Sequence, residues 1–99
     1  MVPYAVPLIL TKMSRKNKLY QKAKASPKNL KFKELCLLAT YAGFKFRRQP
    51  GGHHIYRHSI YKQMDMLNFQ PAKDDSSKAK PYQVKQLVNY IDEYGLLKD

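Results

Sequence analysis

Apolar positions along the chain fall into blocks separated by basic or turn-forming stretches. The first block is thin. After Ser14, a helix N-cap type, Leu19 and Ala23 lie on one helical face at i, i+4, and Pro27 stands beyond them. Most of that segment is lysine-rich, so the pattern predicts a short helical arm over 14–27 with little apolar surface to dock. In the second block Phe32, Leu35, Cys36, Ala39 and Ala42 recur at helical spacing beside Leu38. Gly43 followed by Phe44 has the form of a helix-ending glycine with an apolar residue after it, which predicts a core helix from about Leu30 to Ala42.

The period then shortens. FKFRRQ (44–49) alternates aromatic and basic residues, PGG forms a turn, and HHIYRH (53–58) resumes an extended pattern rich in Ile and Tyr, together predicting a β-hairpin. MDMLNF (64–69) is a third strand, reached through SIYKQ and stopped by Pro71. AKDDSSKAK (72–80) reads as a solvated turn that includes Asp74 and Asp75. In PYQVKQLVNYIDEYGLL, Pro81 suits a first helical turn, Val84, Leu87, Val88, Ile91 and Tyr94 make one stripe, and Gly95 ends it. The order predicts an α+β fold: a small three-stranded antiparallel sheet with two helices on one face, α-β-β-β-α, plus the N-terminal arm, leaving the other sheet face free to bind. Residues 1–13 are expected to be a leader that is disordered or not native, since Met13 reads like an ordinary start. The arm spans 14–27 and the domain 28–99.

Length limits what this fold can hold, because 99 residues make one small domain without room for a large pocket. Charge changes the picture more. Residues 1–62 carry 14 Lys and Arg against one acidic residue, Glu34, a net of +13, whereas residues 63–99 carry five basic and six acidic residues, a net of −1. So uneven a distribution points to an extended polyanion, most naturally nucleic acid, whose condensed counterions are released on binding. Cys36 is the single cysteine, which excludes an intrachain disulfide and a Cys-rich metal site. The apolar start MVPYAVPLIL is too short for a membrane span and is broken by Pro3 and Pro7, so the chain is expected in the cytoplasm with no membrane partner.

The candidate chemistry lies in RRQPGGHHIYRH (47–58). A histidine next to a glycine turn and several arginines has what RNA cleavage by 2′-hydroxyl attack requires. The imidazole takes the hydroxyl proton, glycine backbone admits a phosphate closely, and the cations stabilise the crowded phosphorus. The alternative is a solvated hairpin tip whose histidines only tolerate a turn. His53, His54 and His58 lie within six positions, but strand alternation lets at most His54 and His58 share a face, and no acidic residue or cysteine stands near to complete a set, so no metal is expected. If Ile55 packs inward, alternation carries His53 inward with it and leaves His54, Tyr56 and His58 outward, which favours His54 as the exposed base.

The same stretch resembles the signature of HicA-type toxins: a phenylalanine-led strand, an Arg-Gln pair, a glycine-small-histidine turn and an Ile-Tyr-Arg-His strand after a helix. LNFQP (67–71) and KAKPYQVKQLV (78–88) are similar to the tail of a HicA subgroup, so the likeness runs from about Ser14 to Leu97. What the resemblance implies is a toxin of a type II toxin–antitoxin system. Such a toxin is a small metal-independent mRNA endoribonuclease with a double-stranded-RNA-binding-domain-like fold, needing no cofactor and held inactive by a HicB-like antitoxin. The histidine that follows the glycine-small pair is catalytic in that family and corresponds to His53. Where the family usually has serine, this chain has Gly52, which removes a hydroxyl. Arg47, Arg48, Gly51, Gly52, His54 and Arg57 are the expected RNA-binding positions. The second function class is a non-catalytic RNA-binding module, or a decayed toxin that only binds its antitoxin.

Overall fold

The computed structural model describes residues 14–48, 50–63 and 65–97. The predicted leader, 1–13, lies outside the described residues. In chain order the elements are α1 (Arg15–Ala25), a 3-10 turn (Pro27–Asn29), α2 (Phe32–Tyr41), β1 (Phe44–Arg48), a second 3-10 turn (Pro50–Gly52), β2 (His54–His58), β3 (Leu67–Phe69) and α3 (Pro81–Tyr94). The strands form one antiparallel sheet in the order β1-β2-β3. This is the expected α-β-β-β-α arrangement.

Local chemistry sets the ends of the helices. The Ser14 side chain accepts a hydrogen bond from the Asn17 N–H at 3.3 Å and starts α1. Gly43, at φ +97°, turns the chain out of α2 so that Phe44 enters the core, and Gly95, in the left-handed conformation, ends α3. At the start of α2 the Glu34 carboxylate reaches back to the Lys31 N–H at 2.9 Å and pairs with Lys22 Nζ, also at 2.9 Å.

The core lies between the helices and one sheet face. Leu35, Leu38 and Ala39 of α2 and Val84, Leu87, Val88 and Ile91 of α3 meet Phe44, Tyr56, Leu67 and Phe69 of the strands. The N-terminal helix is part of this body. Leu19 and Ala23 are buried in the same cluster, α1 packs on both α2 and α3, and the Tyr20 hydroxyl donates a hydrogen bond to Asp92.

Three expectations need correction. The third strand is only Leu67–Phe69, because pairing with β2 runs from His54↔Phe69 to Tyr56↔Leu67 and stops. The loop 72–80 is exposed over 73–78 but is tied down at its end, where Ala79 is buried, the Ala79 N–H bonds Leu30 O at 3.0 Å and the Phe32 N–H bonds Ser77 O at 2.8 Å. Third, the parity of β2 is reversed. Tyr56 lies opposite Phe46 and His58 opposite Phe44, so His54, Tyr56 and His58 face the helices, while Ile55 and Arg57 face the other way. Two adjacent apolar residues, Ile55 and Tyr56, make either parity plausible on hydropathy alone. The larger ring takes the helix side, where Phe69 and Phe46 pack against it at ring-centroid distances of 5.7 and 5.5 Å.

Candidate functional site

Reversed parity separates the three histidines. His58 is 5% exposed and structural: Nε2 lies 2.8 Å from the Ala42 carbonyl, and Nδ1 accepts the Ile60 and Tyr61 N–H groups at 3.1 Å each. His54 is half-buried on the same side, edge-on to Phe32 at 4.9 Å between ring centroids, with its Nδ1 enclosed and unpartnered. His53 precedes β2 and belongs by alternation to the face that no helix covers. His53 is thus the one histidine of the three that is not turned to the helices, and its ring meets Asn68 and Gln70. Among the described residues no three His, Cys, Asp or Glu side chains come together as a metal-binding group.

A bulge builds the basic face. Phe46 pairs with Tyr56 and Arg48 with Ile55, so Arg47 is an extra residue in β1. Such a bulge breaks alternation and brings two consecutive side chains toward the same side. Arg47 and Arg48 accordingly line one groove of about 240 Å³ together with Ile55, Arg57 and Met66. Ile55 is only 9% exposed although it is outside the helix-side core, buried among the groups of this groove. A second hollow beside it is lined by Lys45, Arg47, Arg57 and Lys62. Lys45 lies directly opposite Arg57, a like-charge cross-strand pair that works against stability. Neither ion pair found among the described residues, Lys22–Glu34 and Lys24–Asp92, involves these cations. Positive charge here is concentrated and uncompensated, which suits a polyanionic ligand.

The turn before His53 exposes backbone. Gly51 (φ +55°) and Gly52 (φ +85°) both take the conformation that favours glycine, and a Cβ added at either would meet nothing within 4 Å. A serine at 52 would therefore be opposed by the backbone angle and not by space.

Two residues with no signal in sequence spacing hold the His53 ring. Nδ1 is 2.9 Å from Asn68 Oδ1, and Nε2 is 2.8 Å from Gln70 Nε2. Both partners come from the β3 edge. Their backbone is fixed in turn by Gln83, buried in the first turn of α3, which accepts the Gln70 N–H at 3.1 Å and donates to the Asn68 carbonyl at 3.0 Å. One side chain thereby completes the hydrogen bonding of β3 on both sides of Phe69.

Comparison of the chain with family models, with curated proteins and with solved structures gives no match. Among the described residues no helix is long and apolar enough to cross a membrane.

Proposed function

We propose that the protein is the toxin component of a type II toxin–antitoxin system, a HicA-like endoribonuclease that cleaves mRNA with His53 as general base and without a metal. The observation that carries this reading is the placement of His53. It directly follows an exposed glycine turn and belongs by alternation to the uncovered sheet face, the face on which Arg47, Arg48 and Arg57 line a groove, while the other two histidines are turned to the helices.

The chemistry balances with these groups. A ring nitrogen of His53 takes the 2′-hydroxyl proton as that oxygen bonds the adjacent phosphorus. The bond from phosphorus to the 5′-oxygen breaks, and the departing oxygen takes a proton from water. A 2′,3′-cyclic phosphate and a 5′-hydroxyl are left. Arg48 and Arg57 offset charge on the phosphoryl oxygens, and the backbone at Gly51 and Gly52 lets the phosphate approach. Expression of the chain should arrest growth, and His53→Ala should relieve the arrest and lower cleavage of single-stranded RNA by roughly 10²–10⁴-fold with the fold intact. Wild-type cleavage by His53→Ala, with loss of cleavage in His54→Ala, would refute the assignment.

One observation favours the second reading, a binding module without chemistry: both ring nitrogens of His53 are engaged by side-chain amides in the free protein. In that case RNA affinity falls steeply with salt, each of Arg48→Ala and Arg57→Ala lowers the salt slope by about one, and no cleavage occurs with protein in excess. Under either reading the basic face also suits a HicB-like antitoxin presenting acidic groups, which would block RNA by covering the same arginines.

A further inference from the structure

The hydrogen bonds around His53 continue one residue further than the ring requires. Gln70 Oε1 accepts from Lys80 Nζ at 3.0 Å, while Gln70 Nε2 faces His53 Nε2 at 2.8 Å. Lysine is a donor only, so the amide oxygen of Gln70 must point to Lys80 and its NH₂ must point to the histidine. His53 Nε2 therefore has to accept, and it carries the lone pair. The ring proton is then on Nδ1, where Asn68 Oδ1 accepts it at 2.9 Å. Each of the three links in the chain Lys80, Gln70, His53, Asn68 then joins a donor to an acceptor, and the direction of the whole chain is set by the ammonium at one end. The assembly is held in place by the buried Gln83 and by the tied-down end of the 72–80 loop, which delivers Lys80 just before α3.

We infer that Lys80 and Gln70 are positioning residues that select Nε2 as the basic nitrogen of His53. The inference rests on His53 being the general base. Gln70 occupies Nε2 with an N–H donor until an RNA 2′-hydroxyl, also a donor, takes its place. Lys80 bonds Gln70 and is not among the residues that line the groove of the arginines. It acts through the orientation of one amide.

The test uses the full chain. Nitrogen-15 NMR of the imidazole separates the two tautomers. In wild type the Nδ1–H form of His53 should dominate. Lys80→Met frees the Gln70 amide to rotate, and the His53 signals should move toward a mixture of tautomers. Cleavage by Lys80→Met should fall roughly fivefold in kcat, the equivalent of one hydrogen bond, with KM nearly unchanged. Lys80→Arg, still a pure donor, should restore both the tautomer and the rate. Lys85→Met removes a charge from α3, the helix that Lys80 precedes, and lies outside the hydrogen-bonded chain, so it should change neither. An unchanged tautomer in Lys80→Met would overturn the inference, as would a loss confined to KM and reproduced by Lys85→Met. Full cleavage by His53→Ala would instead sink the proposed ribonuclease mechanism, and the tautomer measurement would still report whether Lys80 orders the ring.

Discussion

Replacing Gly43 by alanine examines how closely the end of α2 and the end of β2 approach each other. A Cβ at Gly43 would lie 2.7 Å from His58 Nε2 and 3.1 Å from Cε1. The ring cannot easily yield, because it is buried and bonds Ala42 O, Ile60 N–H and Tyr61 N–H. Two costs follow. Holding an L-residue at φ +97° costs roughly 1–2 kcal/mol. Pushing the ring off Ala42 O loses about 1 kcal/mol for that bond and up to that again if the N–H contacts open. Gly43→Ala should thus destabilise by about 2–4 kcal/mol. His58→Ala removes three hydrogen bonds and should cost about 3 kcal/mol by itself. In the His58→Ala background only the backbone cost of Gly43→Ala remains, so the two substitutions should couple by about 1–2 kcal/mol. Urea unfolding of the four proteins, followed by far-ultraviolet circular dichroism since the chain has no tryptophan, measures the cycle. If Gly43→Ala costs the same in both backgrounds within about 0.5 kcal/mol, the ring contact is not what requires glycine.

Three further outcomes are expected. For Glu34, burial is the largest single influence and pushes the carboxyl pKa up, but the Lys31 N–H and the Lys22 ammonium together outweigh it and hold the value below the ordinary 4.5. The stability that Glu34 contributes is therefore present above pH 4.5 and lost as pH falls below it. Glu34→Gln should cost about 0.5–1 kcal/mol at neutral pH and progressively less in acid, and a gap that stays constant on acidification would contradict this. Leu19→Ala should lower stability by about 2–3 kcal/mol by undocking α1, measurable as a reduced urea midpoint, whereas a loss under about 0.5 kcal/mol would mean the helix contributes no packing. Burial raises the Cys36 thiol, an effect only partly opposed by the Tyr56 hydroxyl. Alkylation of the native protein should accordingly be slower than that of free cysteine at the same pH and should accelerate only above the ordinary thiol value of 9.0, and equal rates at pH 8 would show an exposed thiol.

What could be read from the chain was what depends on neighbours in sequence. Ser14, Gly43 and Gly95 mark helix ends within one turn, and the stripes of α2 and α3 follow from a 3.6-residue period, so the order of elements was legible. The face of β2 was not. Ile55 and Tyr56 are adjacent and both apolar, and the outcome depends on how well Tyr56 fits between Phe46 and Phe69, strands away in sequence. Nor was the bulge at Arg47, which is set by the register with β2 and not by any spacing in β1 itself. Within the site, strand alternation favoured His54, and His53 stood out only through its likeness to a known signature. Asn68 and Gln70 did not, because they lie 15 and 17 residues away and a lone amide in a strand or loop has no pattern. Gln83 looked like one polar position on an amphipathic helix. Its burial at 4% exposure is the observation that distinguishes it.

The Gln83 clamp also sets when the site can exist. A chain still being synthesised exposes His53 and all three arginines long before α3 has formed, yet nothing then fixes Asn68 and Gln70 against the ring. Only when residues 80–83 have been added and have folded onto the β3 edge does the histidine acquire its partners. Under the proposed function, a nuclease directed at messages would stay unassembled until those residues have been made and have folded. Its chemistry would wait on a side chain that makes no contact with RNA.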